Sequence, residues 1–492
     1  MKRLTEIAAP FSSCILPQGQ GQEVWISSIC ADSKLAEPGS LFIARKGTLQ
    51  DGALYAAEAV ARGSAALLTE QYLPAFPSIP QIICADPAAI EAKLAAHYYD
   101  FPAQDLCMIG VTGTNGKTTT SWILYQLLCQ LGRPAGWIGT IEYRVGSASY
   151  PASRTTPGAS HMQKLMREMC DAGCRSAVME VTSHALDQGR VAEIEFDAAL
   201  FTNLTPDHLD YHKNMESYCA AKNRLFRGLG QGSKKKDKWA VVNRDSPWHE
   251  RVLEGCTTPI FTYGIEGDAD LRASGLIMTP DGMAMQLLFQ GAAYRCQIPY
   301  IGRYNVSNAL GAVAFLLTQG VDLNQLLALL EDLPPVRGRL EPVKNELGIR
   351  IYVDFAHTGD GLKQVLATLS EVKQRRLLLV FGCGGDRDRG RRKEMAEAAE
   401  VYADHTIITS DNPRSEDPEA ICAEIARGFR SPTRYSIETD RLSAIRCVLE
   451  QALPEDIVLI AGKGHETYQI QGSRTLHFDD VEVVSNILKS RD

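Results

Sequence analysis

Leu106-Cys107-Met108-Ile109-Gly110-Val111-Thr112-Gly113-Thr114-Asn115-Gly116-Lys117-Thr118-Thr119-Thr120 carries the pattern from which the rest of the chain is read. Leu106 to Thr112 is an apolar run of buried-strand length, a glycine-bearing turn follows, and Ser121 to Leu131 has helical character. In that setting backbone N–H groups at a helix N-terminus cradle phosphates. Lys117 is placed to reach β- and γ-phosphates, and the Thr118 hydroxyl to face Mg²⁺. The strict form of such a loop has glycine five residues before Gly116, where this chain has Val111, so the loop is a variant. A glycine turn opening an ordinary helix leaves Gly116-Lys117-Thr118 unexplained. The loop alone does not separate a kinase, a GTPase switch and an ATP-driven ligase.

On the N-terminal side, Ser64 to Leu68 and Gln81 to Cys84 are short apolar runs between alanine-rich helical stretches, which predicts a small α/β unit over residues 1–100. On the other side, Ser176 to Met179 and Ala198 to Phe201 alternate with helical patterns, the signature of βα units and a largely parallel sheet over 101–335. Leu333-Pro334-Pro335-Val336-Arg337-Gly338-Arg339 is a hinge. Beyond it, strand signals at Ile349 to Asp354, Leu377 to Phe381, Thr406 to Thr409 and Ile457 to Ala461 predict a third α/β domain over 336–492. The run Lys234-Lys235-Lys236-Asp237-Lys238 is expected to be a solvated loop.

Composition narrows the function. The 492 residues are 45% hydrophobic and 22% charged, a globular balance that excludes disorder and collagen-like classes. A net charge of −8 has the wrong sign for wrapping nucleic acid or lying on an anionic membrane. The thirteen cysteines are scattered from Cys14 to Cys447 without zinc-finger spacing, so reduced thiols in a cytoplasmic protein are expected. Met1-Lys2-Arg3 is followed by Glu6 and Pro10 before any long apolar run, and nowhere do about 18 apolar residues occur together, so neither an export signal nor a membrane span is expected.

Downstream of the loop, strand-end Glu180 lies where parallel strands gather ligands and suits a Mg²⁺ carboxylate. Thr202-Asn203-Leu204-Thr205-Pro206-Asp207-His208-Leu209-Asp210-Tyr211-His212 is open to two readings: metal or acid–base chemistry, or a turn in which Thr205 or Asp207 caps a helix.

Together with Gly302-Arg303-Tyr304-Asn305-Val306-Ser307-Asn308, Arg337-Gly338-Arg339 and Val353-Asp354-Phe355-Ala356-His357-Thr358, these segments resemble, in order and over essentially the whole chain, the Mur ligase family. Those ATP-dependent enzymes build the peptide of bacterial cell-wall precursors and so serve peptidoglycan synthesis, cell shape and division. The resemblance implies three α/β domains: a small UDP-substrate-binding domain, a central P-loop ATPase with a mostly parallel sheet, and a C-terminal Rossmann-like domain that brings the amino acid. It implies an acyl-phosphate intermediate, with ATP and Mg²⁺ as cofactors. By motif position, Gly113, Thr114, Asn115, Gly116, Lys117, Thr118, Thr119, Asn305, Arg339 and Asp354 would contact ATP. Lys117, His208 and Lys222 would be catalytic, and Thr118, Glu180, His208 and Lys222 would hold metal, the last after carbamylation by CO₂. A helix lysine is otherwise a solvated cation; carbamylation would make it an anionic oxygen ligand. Phe355 and Gly359 depart from the family's usual tyrosine and proline.

Asp411-Asn412-Pro413-Arg414 alone is good turn chemistry. Within the family it resembles the segment of members that add meso-2,6-diaminopimelate to UDP-N-acetylmuramoyl-L-alanyl-D-glutamate. A guanidinium such as Arg414 binds the carboxylate that distinguishes diaminopimelate from lysine. Arg387 would add a cation, Glu466 would accept from an ammonium, and Gly462 would admit the backbone closely. By the same resemblance Ser33, Thr48, Leu49, Gln50, Thr155, Thr156, Thr182, Gln188 and Arg190 would hold the UDP-muramoyl dipeptide. A monomer is expected. The competing readings are a lysine-adding family member and a nucleotide-dependent switch, which would leave Lys222, the His208 segment and the third domain without a role.

Overall fold

The computed structural model describes residues 1–17, 23–47, 50–231, 235–279 and 281–490. It packs as two units, Met1–Arg272 with Ser307–Leu326, and Ala273–Val306 with Leu327–Asp492.

In the first unit, the N-terminal segment forms a five-stranded sheet ordered Cys14–Ile15, Gln81–Cys84, Ala66–Thr69, Ser40–Ile43, Ser28–Cys30. It is parallel except for the first pair. Leu41, Ile43 and Leu68 face one apolar layer and Phe42 and Leu67 another, so these strands are apolar throughout rather than alternating. Asp86 caps the helix Pro87–Tyr98 by accepting from the Ala89 N–H, with Pro87 in the first turn where a missing N–H costs nothing.

The larger sheet of this unit runs Ala148–Pro151, Glu142–Val145, Ala135–Ile138, Ser176–Glu180, Cys107–Thr112, Ala198–Phe201, Trp239–Asn243, Ile260–Gly264. From Ala135–Ile138 onward it is parallel. Cys107–Thr112 enters first but sits mid-sheet. The chain leaves it on one side through the helix Lys117–Gln130 and later returns to its other side as Ala198–Phe201. Such a reversal of strand order opens a crevice at the carboxyl ends of the strands. The lysine run is a loop, as its composition suggests, with Lys236 and Asp237 exposed, but two of its lysines turn inward. Lys235 pairs with Asp197 at 2.5 Å and Lys238 with Glu195 at 2.8 Å, both nearly buried, while Lys234 lies outside the described residues. The carboxylates compensate the two buried charges.

The second unit holds a six-stranded sheet ordered Glu341–Val343, Arg350–Asp354, Ile457–Ala461, Leu377–Phe381, His405–Ile408, Tyr435–Ile437, parallel except for the first pair. Apolar layers cover both its faces. Thr358 caps the helix Gly359–Val372. A side chain on Gly359 would run into Cβ of Glu394, so glycine in place of the family's usual proline fits the packing here. Among the described residues no helix is long and apolar enough to cross a membrane, and all thirteen cysteines are free thiols.

Candidate active site

The phosphate loop closes because two glycines occupy backbone that side chains resist. Gly113 has φ 154° and Gly116 φ 84°. A Cβ on the first would collide with the Thr202 hydroxyl, and on the second with the Asn308 carboxamide. The segment after Ala198–Phe201 then braces the loop. Asn203 accepts from the Asn115 N–H at 3.0 Å and donates to the Asn115 carbonyl at 3.1 Å, while Thr202 donates to that carbonyl at 2.6 Å. Thr114 exchanges hydrogen bonds with the Thr205 backbone. Lys117 donates to the carbonyls of Gly113 at 3.0 Å and Thr114 at 2.8 Å, folded over the loop it would share with phosphate. Thr119 is buried in the first helical turn.

Glu180 ends its strand fully buried, yet both oxygens are satisfied. Oε2 accepts from Thr118 at 3.0 Å and from the Thr140 hydroxyl at 3.1 Å, and Oε1 from the Thr140 N–H at 2.7 Å. Thr140 also meets the Thr155 hydroxyl at 3.1 Å. The neighbouring Thr156 donates to the Glu180 carbonyl at 2.8 Å and approaches Thr182 at 3.3 Å. Arg190 donates to the Thr156 carbonyl at 3.1 Å and to Gln188 at 2.6 Å. The residues expected to hold the muramoyl peptide therefore continue directly from the phosphate loop through Glu180. Sequence reading assigned no role to Thr140 or Asn308; only Asn308 left a signal, one helical turn beyond Asn305.

Lys222 is 1% exposed, not a solvated cation. It donates to the Gly113 carbonyl at 2.8 Å and lies 4.6 Å over the Tyr218 ring. Burial, and then the charge of Lys117, drive its pKa well below the ordinary lysine value. His208 sits at φ 54° as the residue before the short helix Leu209–His212, so neither Thr205 nor Asp207 is the cap, and Asn214 caps the helix that follows. Its ring lies 4.8 Å from that of His184, and burial first, then Lys117 and Lys222, hold it below the ordinary histidine value despite Asp207. Among the described residues no three His, Cys, Asp or Glu side chains could hold a metal alone. A hydroxyl and one carboxylate, Thr118 and Glu180, suit Mg²⁺, which takes most of its shell from phosphate and water.

A cavity of about 670 Å³ in the same unit is lined by Ser33, Gln50, Arg45, Glu91, Arg154, His161 and Lys164 among others. Ser33 donates to Glu58 at 2.6 Å. Thr48 and Leu49 lie outside the described residues.

Asn305, Arg339 and Asp354 belong to the second unit. Asn305 is buried and donates to the Ile301 carbonyl at 2.9 Å. Asp354 accepts from the N–H groups of Leu340 and Ala356, both at 2.7 Å; burial raises its pKa, against the pull of Arg339. Arg339 lies 5.2 Å over the Phe355 ring, so phenylalanine supplies the π-face without a phenol hydroxyl. Burial first, and then the charges of Arg339 and Arg337, push the His465 pKa down to about 3.

A second cavity, of about 200 Å³, collects Arg387, Asp411, Asn412, Arg414, Gly462 and Glu466 at the carboxyl ends of the second unit's strands. Asn412 donates to Glu466 at 2.8 Å and accepts from the Ile470 N–H at 2.9 Å. Arg414, at φ 52°, donates to the Gly385 carbonyl at 2.7 Å. Gly462 has φ 110°, and a Cβ there would stand 2.6 Å from Asp411. Burial, then Asp411, raises the Glu466 pKa, while Lys463, fully buried 3.6 Å away, lowers it. Pro413 sits behind the wall, its carbonyl packed where a Cβ on Gly385 would go.

Residues 111–316 match the family model described as Mur ligase middle domain, and residues 338–464 that described as Mur ligase, glutamate ligase domain. The UDP-N-acetylmuramoyl-L-alanyl-D-glutamate–2,6-diaminopimelate ligases of Geobacillus kaustophilus and Chlamydia felis are each 43% identical to this chain, over 94% and 96% of both lengths respectively. A solved structure of an enzyme of that name aligns over 100% of this chain and 99% of its own, at 32% identity and a TM-score of 0.66. An ADP complex of MurF ligase from Thermotoga maritima shares the fold at 19% identity, with a TM-score of 0.66 over 96% of this chain and 100% of its own. This chain belongs to the Mur ligase family.

Proposed function

We propose that this chain is an ATP-dependent ligase that joins meso-2,6-diaminopimelate to UDP-N-acetylmuramoyl-L-alanyl-D-glutamate through an amide bond, in peptidoglycan precursor synthesis. The observation that carries the reading is the charge pattern of the smaller cavity. Arg387 and Arg414 face the same space as Asp411 and Glu466, as a substrate with carboxylates and ammonium groups requires. The relatives that share the chain's full length bear the same activity in their names.

A carboxylate is a poor electrophile at neutral pH. Its oxygen attacks the γ-phosphorus of ATP, ADP departs, and the resulting acyl phosphate carries a leaving group. The free amine of diaminopimelate then attacks the acyl carbon, phosphate leaves, and the amine nitrogen loses a proton. Lys117 offsets charge where two anions must approach, and the loop N–H groups orient the phosphates. Thr118 and Glu180, with His208 and a carbamylated Lys222, are the residues we assign to Mg²⁺, which when bound supplies further charge neutralisation. We read three domains, 1–100, 101–335 and 336–492, in a monomeric cytoplasmic enzyme that uses neither nucleic acid nor membrane. The free thiols and the negative net charge support the compartment.

Incubation with the UDP-muramoyl dipeptide, ATP and Mg²⁺ is expected to release phosphate only when diaminopimelate is added, with the tripeptide product seen by mass. Release that depends on lysine and ignores diaminopimelate would contradict the assignment.

Lys222 carries a second expectation. Burial and the charge of Lys117 favour the unprotonated Lys222 amine, the form that is nucleophilic toward CO₂. Carbon-13 bicarbonate is expected to give a carbamate NMR signal in the wild type that is missing from Lys222→Arg. An identical spectrum from the two proteins would exclude the modification.

A further inference from the structure

The larger cavity holds a guanidinium to which neither the motifs nor the mechanism assigns a role. Arg45 stands two residues beyond the strand Ser40–Ile43. Its backbone is fixed by the loop it opens: the Gly52 N–H donates to the Arg45 carbonyl at 2.9 Å, and a Cβ on Gly52 would run into that oxygen. Its side chain is fixed by Glu91, which reaches Arg45 Nε at 3.0 Å.

Glu91 is itself 3% exposed and belongs to the helix Pro87–Tyr98. Its other oxygen accepts from the Ser160 N–H at 3.1 Å and hydroxyl at 3.0 Å, in the first turn of the helix Ala159–Asp171. A carboxylate there is favoured by the helix dipole. One buried carboxylate thus ties two helices together and aims one arginine. Among the described residues the terminal NH1 and NH2 groups of Arg45 make no hydrogen bond, and the residue lines the cavity with Arg154. Lys164, also on its wall, is already paired with Glu37 at 2.8 Å.

Arg45 and Arg154 both press electrostatically on Arg190, which burial already disfavours as a cation. Glu91 is the carboxylate that opposes them there. Arg45 and Arg154 on the cavity wall repel each other as well as Arg190, and an anion entering the cavity relieves that repulsion.

We propose that Arg45 binds an oxyanion of the UDP-muramoyl dipeptide and that Glu91 is its positioning residue. The inference rests on the substrate reading above. The oxyanion comes either from the diphosphate or from the glutamyl carboxylate that is not activated, and the chemistry of recognition is the same for both.

Steady-state kinetics on the full-length enzyme test it. Arg45→Gln is expected to raise the KM for the UDP-muramoyl dipeptide by roughly 10- to 100-fold, as the loss of a charge-assisted pair does. The KM values for ATP and diaminopimelate are expected to stay as in the wild type, and Arg45→Lys, which keeps a cation beside the buried Glu91, to recover part of the dipeptide loss with the wild-type melting temperature. Glu91→Gln, which keeps an acceptor for Ser160 but removes the charge, is expected to raise the same KM by a smaller factor. Inhibition by UDP-N-acetylmuramate separates the sources. Weaker inhibition of Arg45→Gln than of wild type assigns the diphosphate, and unchanged inhibition assigns the carboxylate. An unchanged dipeptide KM in Arg45→Gln, or an equal rise in all three KM values with a lowered melting temperature, overturns the proposal. A wild-type enzyme that does not ligate this dipeptide at all would instead overturn the substrate reading.

Discussion

Lys117→Ala is expected to lower the rate of ligation by a factor of about 10² to 10³, the scale set by removing one preorganised charge donor from a developing anion. The side chain is poised for that role. It folds over the loop on the carbonyls of Gly113 and Thr114, and Lys222 shares the Gly113 carbonyl with it. The loop itself does not depend on this lysine, because Thr202, Asn203 and Thr205 hold it from the adjoining strand. Phosphate release and tripeptide formation are therefore expected to disappear together while the melting temperature and circular dichroism stay unchanged. Product formation at near the wild-type rate would remove Lys117, and with it this description of the phosphate site.

Arg414→Ala is expected to raise the KM for diaminopimelate about 100-fold, about 3 kcal/mol, with the KM for ATP unchanged. Arginine at φ 52° already carries the left-handed strain that alanine would carry, so the substitution reports on the guanidinium and not on the turn. The turn has its own supports: the Arg414 N–H donates to the Ile470 carbonyl at 3.1 Å, and the Gly472 N–H to the Arg414 carbonyl at 2.7 Å. Lysine, lacking the distal carboxylate, is expected to be used no better by the variant than by the wild type. Equal rises in both KM values would mean that the residue supports the unit as a whole rather than the amino acid.

The strands were legible where their residues are apolar on both faces. Gln81–Cys84, Ala198–Phe201, Leu377–Phe381 and Ile457–Ala461 have the bounds their composition predicts, because a buried parallel strand is a continuous apolar run. The helix after the phosphate loop begins at Lys117, earlier than its apolar pattern indicates, because Gly116 rather than a polar cap turns the chain. The lysine run departs in part from its composition for a related reason: its residues are those of a solvated loop, and only the placement of Asp197 and Glu195 turns Lys235 and Lys238 inward. Neither cap open to the His208 segment forms, because the chain enters the helix through a left-handed turn at His208, a conformation that histidine adopts more readily than most residues but that spacing alone does not locate.

Local pattern was sufficient for the phosphate loop, the parallel α/β architecture and the order of motifs, since each depends on residues adjacent in the chain. Tertiary structure alone decided that Glu180 satisfies Thr118 and Thr140 at once and that Lys222 is buried against the loop carbonyl, and it set Arg387, Arg414 and Glu466, which resemblance had grouped, around one cavity. It also brought Glu91 and Arg45 together from separate elements. These facts depend on burial and on charges far apart in sequence. The free energy of a titratable group is set by the groups folding brings within a few ångströms of it, and spacing along the chain does not encode those neighbours.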